Sequence, residues 1–241
     1  MAPPAPIAVV GMSCRLSGDV SNLEDFWTLI TRSRDGWTPI PEDRFSSHAF
    51  HHPNPQKKGC FNQKGGYFTK RDLSKFDAPF FQITKEEALA MDPQQRQLLE
   101  CTYEALENAG FPRQSVAGKN MGVFVGGTSS DYRVGTLRDL DQVPTFDATG
   151  NHQSIQAGRI SYLFDLRGPC FAVDTACSST LHALHLAVQS IRSGESESAI
   201  VGGSSLHLQP DDSVSMSMLG SVLYPPSRLT NLNGEVLSAS G

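Results

Sequence analysis

The 241-residue chain is 39% hydrophobic and 19% charged, enough apolar material for a real core and too little charge for a disordered tail or a coiled coil. Its net charge of -5, from 20 basic and 25 acidic residues, and the lack of a basic patch interleaved with aromatics argue against a nucleic-acid partner. The five cysteines, Cys14, Cys60, Cys101, Cys170 and Cys177, show neither paired nor metal-like spacing and read as reduced thiols in a reducing compartment, not as a disulfide scaffold.

The opening MAPPAPIAVVGMS has no basic n-region and only a short apolar run, so it is neither a secretory signal nor a membrane span, and a cytoplasmic address is expected. Within it, IAVVGM at 7–12 predicts a buried strand. Ser21 followed by Glu24 predicts a capping box that opens a helix carrying Phe26, Trp27, Leu29 and Ile30. From about 36 to 80, PIPEDRF and HHPNPQKKG are loop chemistry with little periodicity, an excursion from the core. Asp92 as N-cap and Pro93 at N1 then predict a helix with an apolar stripe of Leu98, Leu99, Thr102, Leu106 and Ala109, ended by Gly110. MGVFVGG at 121–127 predicts a second buried strand, and QSIQAGRISYLF at 153–164 a helix in which Gly158 permits close backbone approach. PCFAVDT is a third strand and SAIVGGSSLHL a fourth, separated by a helix with Leu181, Leu184, Val188 and Ile191 at helical spacing. Strands alternating with helices indicate an α/β layered sheet, and there is no tandem repeat or low-complexity block.

The stretch VDTACSST at 173–180 carries the chemistry. Phe171, Ala172 and Val173 predict a buried strand, and the helix begins near Ser178, so Cys177 sits at the junction. A helix N-terminus presents unpaired N–H groups and a partial positive charge, which favour a thiolate and can stabilise an oxyanion developing on an acyl thioester. Ala176, Ser178 and Ser179 are small enough for a tight turn and an incoming acyl chain. A cysteine is often only a small buried hydrophobe, but this position and these neighbours favour a nucleophile. His182 and His185, five and eight residues on, are not placed to serve Cys177 as general base and read as packing or solvent-facing histidines. His48, His51 and His52 stand in a Pro-rich loop without the cysteine or carboxylate company of a metal site, and no metal is assigned.

VDTACSST resembles the nucleophile motif of β-ketoacyl synthase domains in polyketide synthases, and the resemblance extends through IAVVGMSCRLSG, GGYF, DLSKFDAPFF, AMDPQQRQLLECTYEALENAG, GRISYLFDLRGPC and LAVQSIRSGE. With that segment starting near residue 7 and no acyltransferase-like or starter-unit domain before it, the arrangement is similar to fungal highly reducing polyketide synthases. The resemblance implies a thiolase-like ketosynthase fold of layered helix, sheet, helix, sheet and helix, here its N-terminal half, with a tail at 1–6, the ketosynthase part at 7–220 and a divergent tail at 221–241. It implies that Cys177 accepts an acyl chain from the phosphopantetheine of an acyl carrier protein, for condensation with a decarboxylated malonyl unit, and that no cofactor takes part. FAVDT resembles a strand that pairs across a dimer axis in the family, so a homodimer or pairing with a full-length synthase is expected. Thr180 stands where many members have serine.

The family's HGTGT-like and NIGH-like motifs, with their two histidines and lysine, do not occur here, and SVLYPPSRLTNLNGEVLSASG after Gly220 loses the familiar pattern. The expectation is therefore a truncated domain, lacking independent condensing activity and leaving apolar surfaces uncovered. Two further readings stand beside it: a non-enzymatic dimerising partner of a full-length synthase, and a Cys177-dependent acyl-thioester acceptor or hydrolase.

Overall fold

The computed structural model describes residues 6–54, 57–128 and 130–219. The 221–241 segment and most of the 1–6 tail lie outside the described residues. Residues 7–12 depart from expectation: they form no strand and lie largely exposed, Val9 at 74% and Val10 at 65% of full accessibility. This segment is tied instead to the helix Pro93–Asn108, whose Asn108 side chain accepts the Met12 N–H at 3.0 Å and whose Glu104 accepts the Ser13 hydroxyl at 2.6 Å. A strand needs a neighbour with free backbone groups, and the flank of a helix offers none.

Helix α1 (Leu23–Thr31) follows, capped one residue later than predicted. The Asn22 side chain, not that of Ser21, accepts the Asp25 N–H at 2.9 Å, and the Asp25 carboxylate in return accepts the Ser21 N–H at 3.1 Å. No residue of α1 is buried, and Trp27 and Ile30 remain exposed. The stretch from 36 to 80 is more than loop. β1 (Thr38–Pro39) pairs antiparallel with β2 (Gly65–Gly66) on either side of α2 (Ser47–Phe50), and Ile40, Phe45, Phe61 and Phe68 form a small core with edge-on rings, Phe45 lying 6.0 Å from Phe61.

After α3 (Lys85–Ala90), α4 (Pro93–Asn108) begins where its cap predicts: Asp92 accepts the Gln94 N–H at 2.8 Å. Leu98, Leu99, Thr102 and Leu106 are its buried stripe, and Gly110, at φ +76°, takes the left-handed conformation that stops it. Short helix α5 (Arg113–Val116) leads into β3 (Met121–Gly127), which is buried at every position. Then come α6 (Asp131–Thr136), α7 (Asp147–Asn151), α8 (Gln153–Leu163), β4 (Cys170–Val173), α9 (Ser179–Ser193), β5 (Ser198–Ser204) and α10 (Pro210–Met218).

β3 is the middle of a parallel sheet ordered β4-β3-β5, with Phe124 opposite Phe171 on one side and Val201 on the other. Its side chains alternate between two cores. Val123 and Val125 meet Leu98, Leu99, Ile160 and Phe164 from α4, α8 and the turn after α8, whereas Phe124 packs on Ala183 and Ala187 of α9. Helices thus cover both faces of the sheet, as the alternation of elements predicts.

Three expectations inside this layer are corrected. β4 is an edge strand, so Phe171 is 51% exposed where burial is predicted. α9 buries Ser179, Ala183, Ala187 and Ser190, not the leucine stripe, and leaves Leu181 71% exposed, because only small residues let the helix backbone come down onto β3. Gly158 meets nothing: a Cβ built there has no neighbour within 4 Å. No helix among the described residues is long and apolar enough to cross a membrane.

Candidate active site

β4 ends at Val173 and α9 begins at Ser179, so residues 174–178 turn the chain at the end of the sheet. Ala176 sits at φ +55°, a conformation that costs an ordinary residue about 1–2 kcal/mol and persists only where neighbours enforce it. Here they do. The Asp174 carboxylate accepts the Ala176 N–H at 2.9 Å. Ser179 Oγ accepts the Thr175 N–H at 2.9 Å and donates to the Ala176 carbonyl at 2.6 Å, and Ser178 Oγ donates to the Thr175 carbonyl at 2.8 Å. The hydroxyl-rich sequence around Cys177 is therefore the scaffold of the turn, each short side chain satisfying a backbone group that neither strand nor helix reaches.

The tightness of the junction is set from below. Gly126, at the end of β3, faces the first residues of α9 so closely that a Cβ would lie 2.4 Å from the Ser179 carbonyl carbon and 2.5 Å from the Thr180 nitrogen. Cys177 is thereby held at the strand-to-helix step, and it is exposed, whereas Cys14, Cys60, Cys101 and Cys170 are half-buried. Burial pushes the thiols of Cys14, Cys101 and Cys170 up. Of the five cysteines, Cys177 is the most exposed.

His182 Nδ1 lies 3.1 Å from Thr175 Oγ1 and 3.2 Å from the Ser178 carbonyl. Its ring belongs to the turn, and no hydrogen bond joins it to Cys177 among the described residues. His185 lies exposed further along α9. His48, His51 and His52 remain in the 36–80 segment, where the His51 N–H bonds the Ser47 carbonyl and the His52 N–H the Phe61 carbonyl, far in sequence from Cys177. Sequence reading missed the parts of Asp174, Thr175 and Ser179. The available signal was the short polar side chain two to four residues from the backbone group it bonds. Two clefts lie away from Cys177, one lined by Phe80, Tyr103, Phe111 and Arg113 and another by Phe50, Arg138 and Val214. Cys177 itself is exposed.

A family profile described as "Beta-ketoacyl synthase, N-terminal domain" matches residues 5–231. The chain is similar to highly-reducing polyketide synthase 1 of Aureobasidium melanogenum, 56% identical over 212 residues that cover 88% of this chain and 10% of that protein. It is similar also to lovastatin diketide synthase mokB of Monascus pilosus, 48% identical over 217 residues, 90% of this chain and 8% of that one. Among solved structures, an oxazolomycin ketosynthase domain of Streptomyces albus superposes with a TM-score of 0.81 at 35% identity, covering 88% of this chain and 37% of that chain. The ketosynthase from module 6 of the bacillaene synthase of Bacillus subtilis gives 0.77 at 35%, with 88% and 34% covered. The chain thus spans about a tenth of the curated relatives it matches and about a third of these ketosynthase structures. Its fold is the N-terminal part of the thiolase-like ketosynthase fold that the motifs imply. By the extent of the profile match and the shared fold, this chain belongs to the β-ketoacyl synthase family, of which it carries the N-terminal domain.

Proposed function

We propose that Cys177 is the acyl acceptor of a polyketide-synthase ketosynthase domain and that the 241-residue chain by itself is acylated without elongating the chain it holds. The observation that carries this reading is the exposed sulfur on a turn fixed by Asp174, Thr175, Ser178 and Ser179 at the head of α9. The Cys177 thiolate attacks the carbonyl carbon of an acyl thioester on the phosphopantetheine of a carrier protein. The oxyanion forms beside the positive end of α9, and the carbonyl re-forms as the carrier's sulfur leaves and takes up a proton. Polyketide synthases as relatives support a carrier-bound acyl donor. Condensation asks for more: donors at the malonyl carboxylate and thioester carbonyl while the sulfur is occupied. His182, the nearest histidine in sequence, is engaged by Thr175 and the Ser178 carbonyl.

Intact-mass spectrometry after incubation with a short acyl-carrier thioester tests both parts. One acyl adduct is expected, absent from Cys177→Ala, with no two-carbon extension when malonyl carrier is added. An adduct that persists in Cys177→Ala overturns the acceptor assignment, and elongation by the isolated chain overturns the second part. Release of free acid with turnover would favour a hydrolase instead. The open edge of β4, with Phe171 half-exposed, favours in addition a pairing of this strand with a second copy or with a full-length synthase. Co-purification that is lost in Phe171→Asp checks it, and a monomer at high concentration that captures no synthase counts against it.

A further inference from the structure

Asp131 opens α6 just beyond β3 and is 4% exposed. Its Oδ2 accepts the backbone N–H groups of Leu208 and Gln209 at 2.6 and 2.9 Å, binding α6 to the segment between β5 and α10. Its Oδ1 is sealed from solvent and has no hydrogen-bond partner. A buried carboxylate oxygen with unused lone pairs is an anomaly, because buried polar atoms are otherwise paired. Two candidate partners stand beside this carboxylate. His207 immediately precedes the bonded amides, and Asp212 lies in the first turn of α10; one ligand atom from each of Asp131, His207 and Asp212 lies within 4.8 Å of the other two. Burial pushes the Asp131 carboxyl above the ordinary range, the Gln209 and Leu208 amides and His207 opposing this and Asp212 adding to it.

We propose that Asp131, His207 and Asp212 bind one divalent transition-metal ion, zinc by preference, which ties α6 to the head of α10. The donor set decides the class. One imidazole with two carboxylates suits zinc, cobalt or nickel, whereas magnesium and calcium sites are built from oxygen donors alone. The geometry is compatible, since donors at about 2.0–2.1 Å around a tetrahedral ion lie about 3.3 Å from one another. Closing from 4.8 Å asks for movements that His207, exposed and touching Phe68 edge-on at 6.4 Å, can make by side-chain rotation. The ion would give Asp131 Oδ1 the partner it lacks and neutralise the paired carboxylates. Its role is structural, joining α6 to α10. His207 and Asp212 are five residues apart but Asp131 lies far before them in the chain, so no ligand spacing betrays the set.

Calorimetric titration of the Cys177→Ala chain with zinc chloride tests the site, that background removing the exposed thiol. Binding of one equivalent is expected, weakened at least about tenfold by His207→Ala, since even indirect support of a ligand is worth 10–100-fold. Asp131→Asn, which keeps an acceptor for the Leu208 and Gln209 amides, weakens it comparably while the variant still melts cooperatively. Cobalt bound in place of zinc shows nitrogen and oxygen ligation without a sulfur charge-transfer band. Undiminished affinity in His207→Ala, a sulfur band with cobalt, or no binding by the folded chain at millimolar zinc would each overturn the proposal.

Discussion

A methyl group at Gly126 isolates the contact that holds Cys177 in place. In Gly126→Ala the new Cβ would stand 2.4 Å from the Ser179 carbonyl carbon, 2.5 Å from the Thr180 nitrogen and 2.6 Å from the Ser179 oxygen. Unstrained carbon contacts begin at about 3.5 Å, so the head of α9 must retreat from β3 by about 1 Å. The atoms in the way are backbone and cannot rotate aside. Overpacking of this kind costs about 1–3 kcal/mol, and the upper end applies here. For a chain of this size about 3 kcal/mol lowers Tm by about 6–12 °C. The same retreat carries the turn at Cys177 with it, and a displacement of about 1 Å in a reacting group costs on the order of 100-fold in rate. Gly158→Ala is the control: with nothing within 4 Å and a helical setting, the added methyl stabilises by about 0.5–1 kcal/mol. Thermal melts by circular dichroism, with acylation rates by intact mass, read both quantities. A Gly126→Ala chain that melts within about 2 °C of its parent and acylates at the parental rate refutes the packing argument.

Asp92→Ala removes a 1% exposed carboxylate that caps α4 and also accepts from the Gln94 side chain and the Ser130 hydroxyl, so a loss of about 2–3 kcal/mol is expected in urea unfolding. Burial raises the Glu100 carboxyl above the ordinary range against the pull of the Arg71 guanidinium 2.6 Å away. The folded chain holds that proton more tightly than the unfolded one, so the contribution to stability is full below the ordinary carboxylate range and is lost as pH rises through the raised value. Glu100→Gln should flatten the fall in Tm across that window, and an unchanged slope would assign it to other groups. Iodoacetamide below one equivalent at neutral pH should label Cys177 first and Cys101 and Cys170 last, as peptide mapping can establish. Uniform labelling would contradict the exposure on which the site rests.

Where signals were local, the chain could be read. α4 announces itself by Asp92, Pro93 and a stripe of which Leu98, Leu99, Thr102 and Leu106 are buried, and the predicted junction around Cys177 does lie between a strand and a helix. The failures share one cause: apolarity records what a segment could bury, not which partner arrives. Residues 7–12 resemble β3 in composition, yet only β3 gains strands on both sides. Leucines outweigh alanines in any hydropathy pattern, yet on α9 closeness to β3 matters more than size, so Ala183 and Ala187 are buried and Leu181 is not. Phe45, Phe61 and Phe68 have no regular spacing and become a core only when β1 pairs with β2. Gly158 and Gly126 look alike on paper, and only the surroundings separate an open glycine from an indispensable one.

Among the described residues, the sheet at the centre contains no antiparallel pair. No hairpin can therefore seed it: β3 must wait while residues 128–169 fold back to deliver β4, and again while α9 passes over before β5 arrives. Closing such long loops taxes the chain before any ladder bond repays it, which slows acquisition of native structure. During synthesis β5 can join β3 only once residue 204 has left the ribosome, so Val123, Phe124 and Val125, buried in the folded chain, are the segment whose exposure lasts longest.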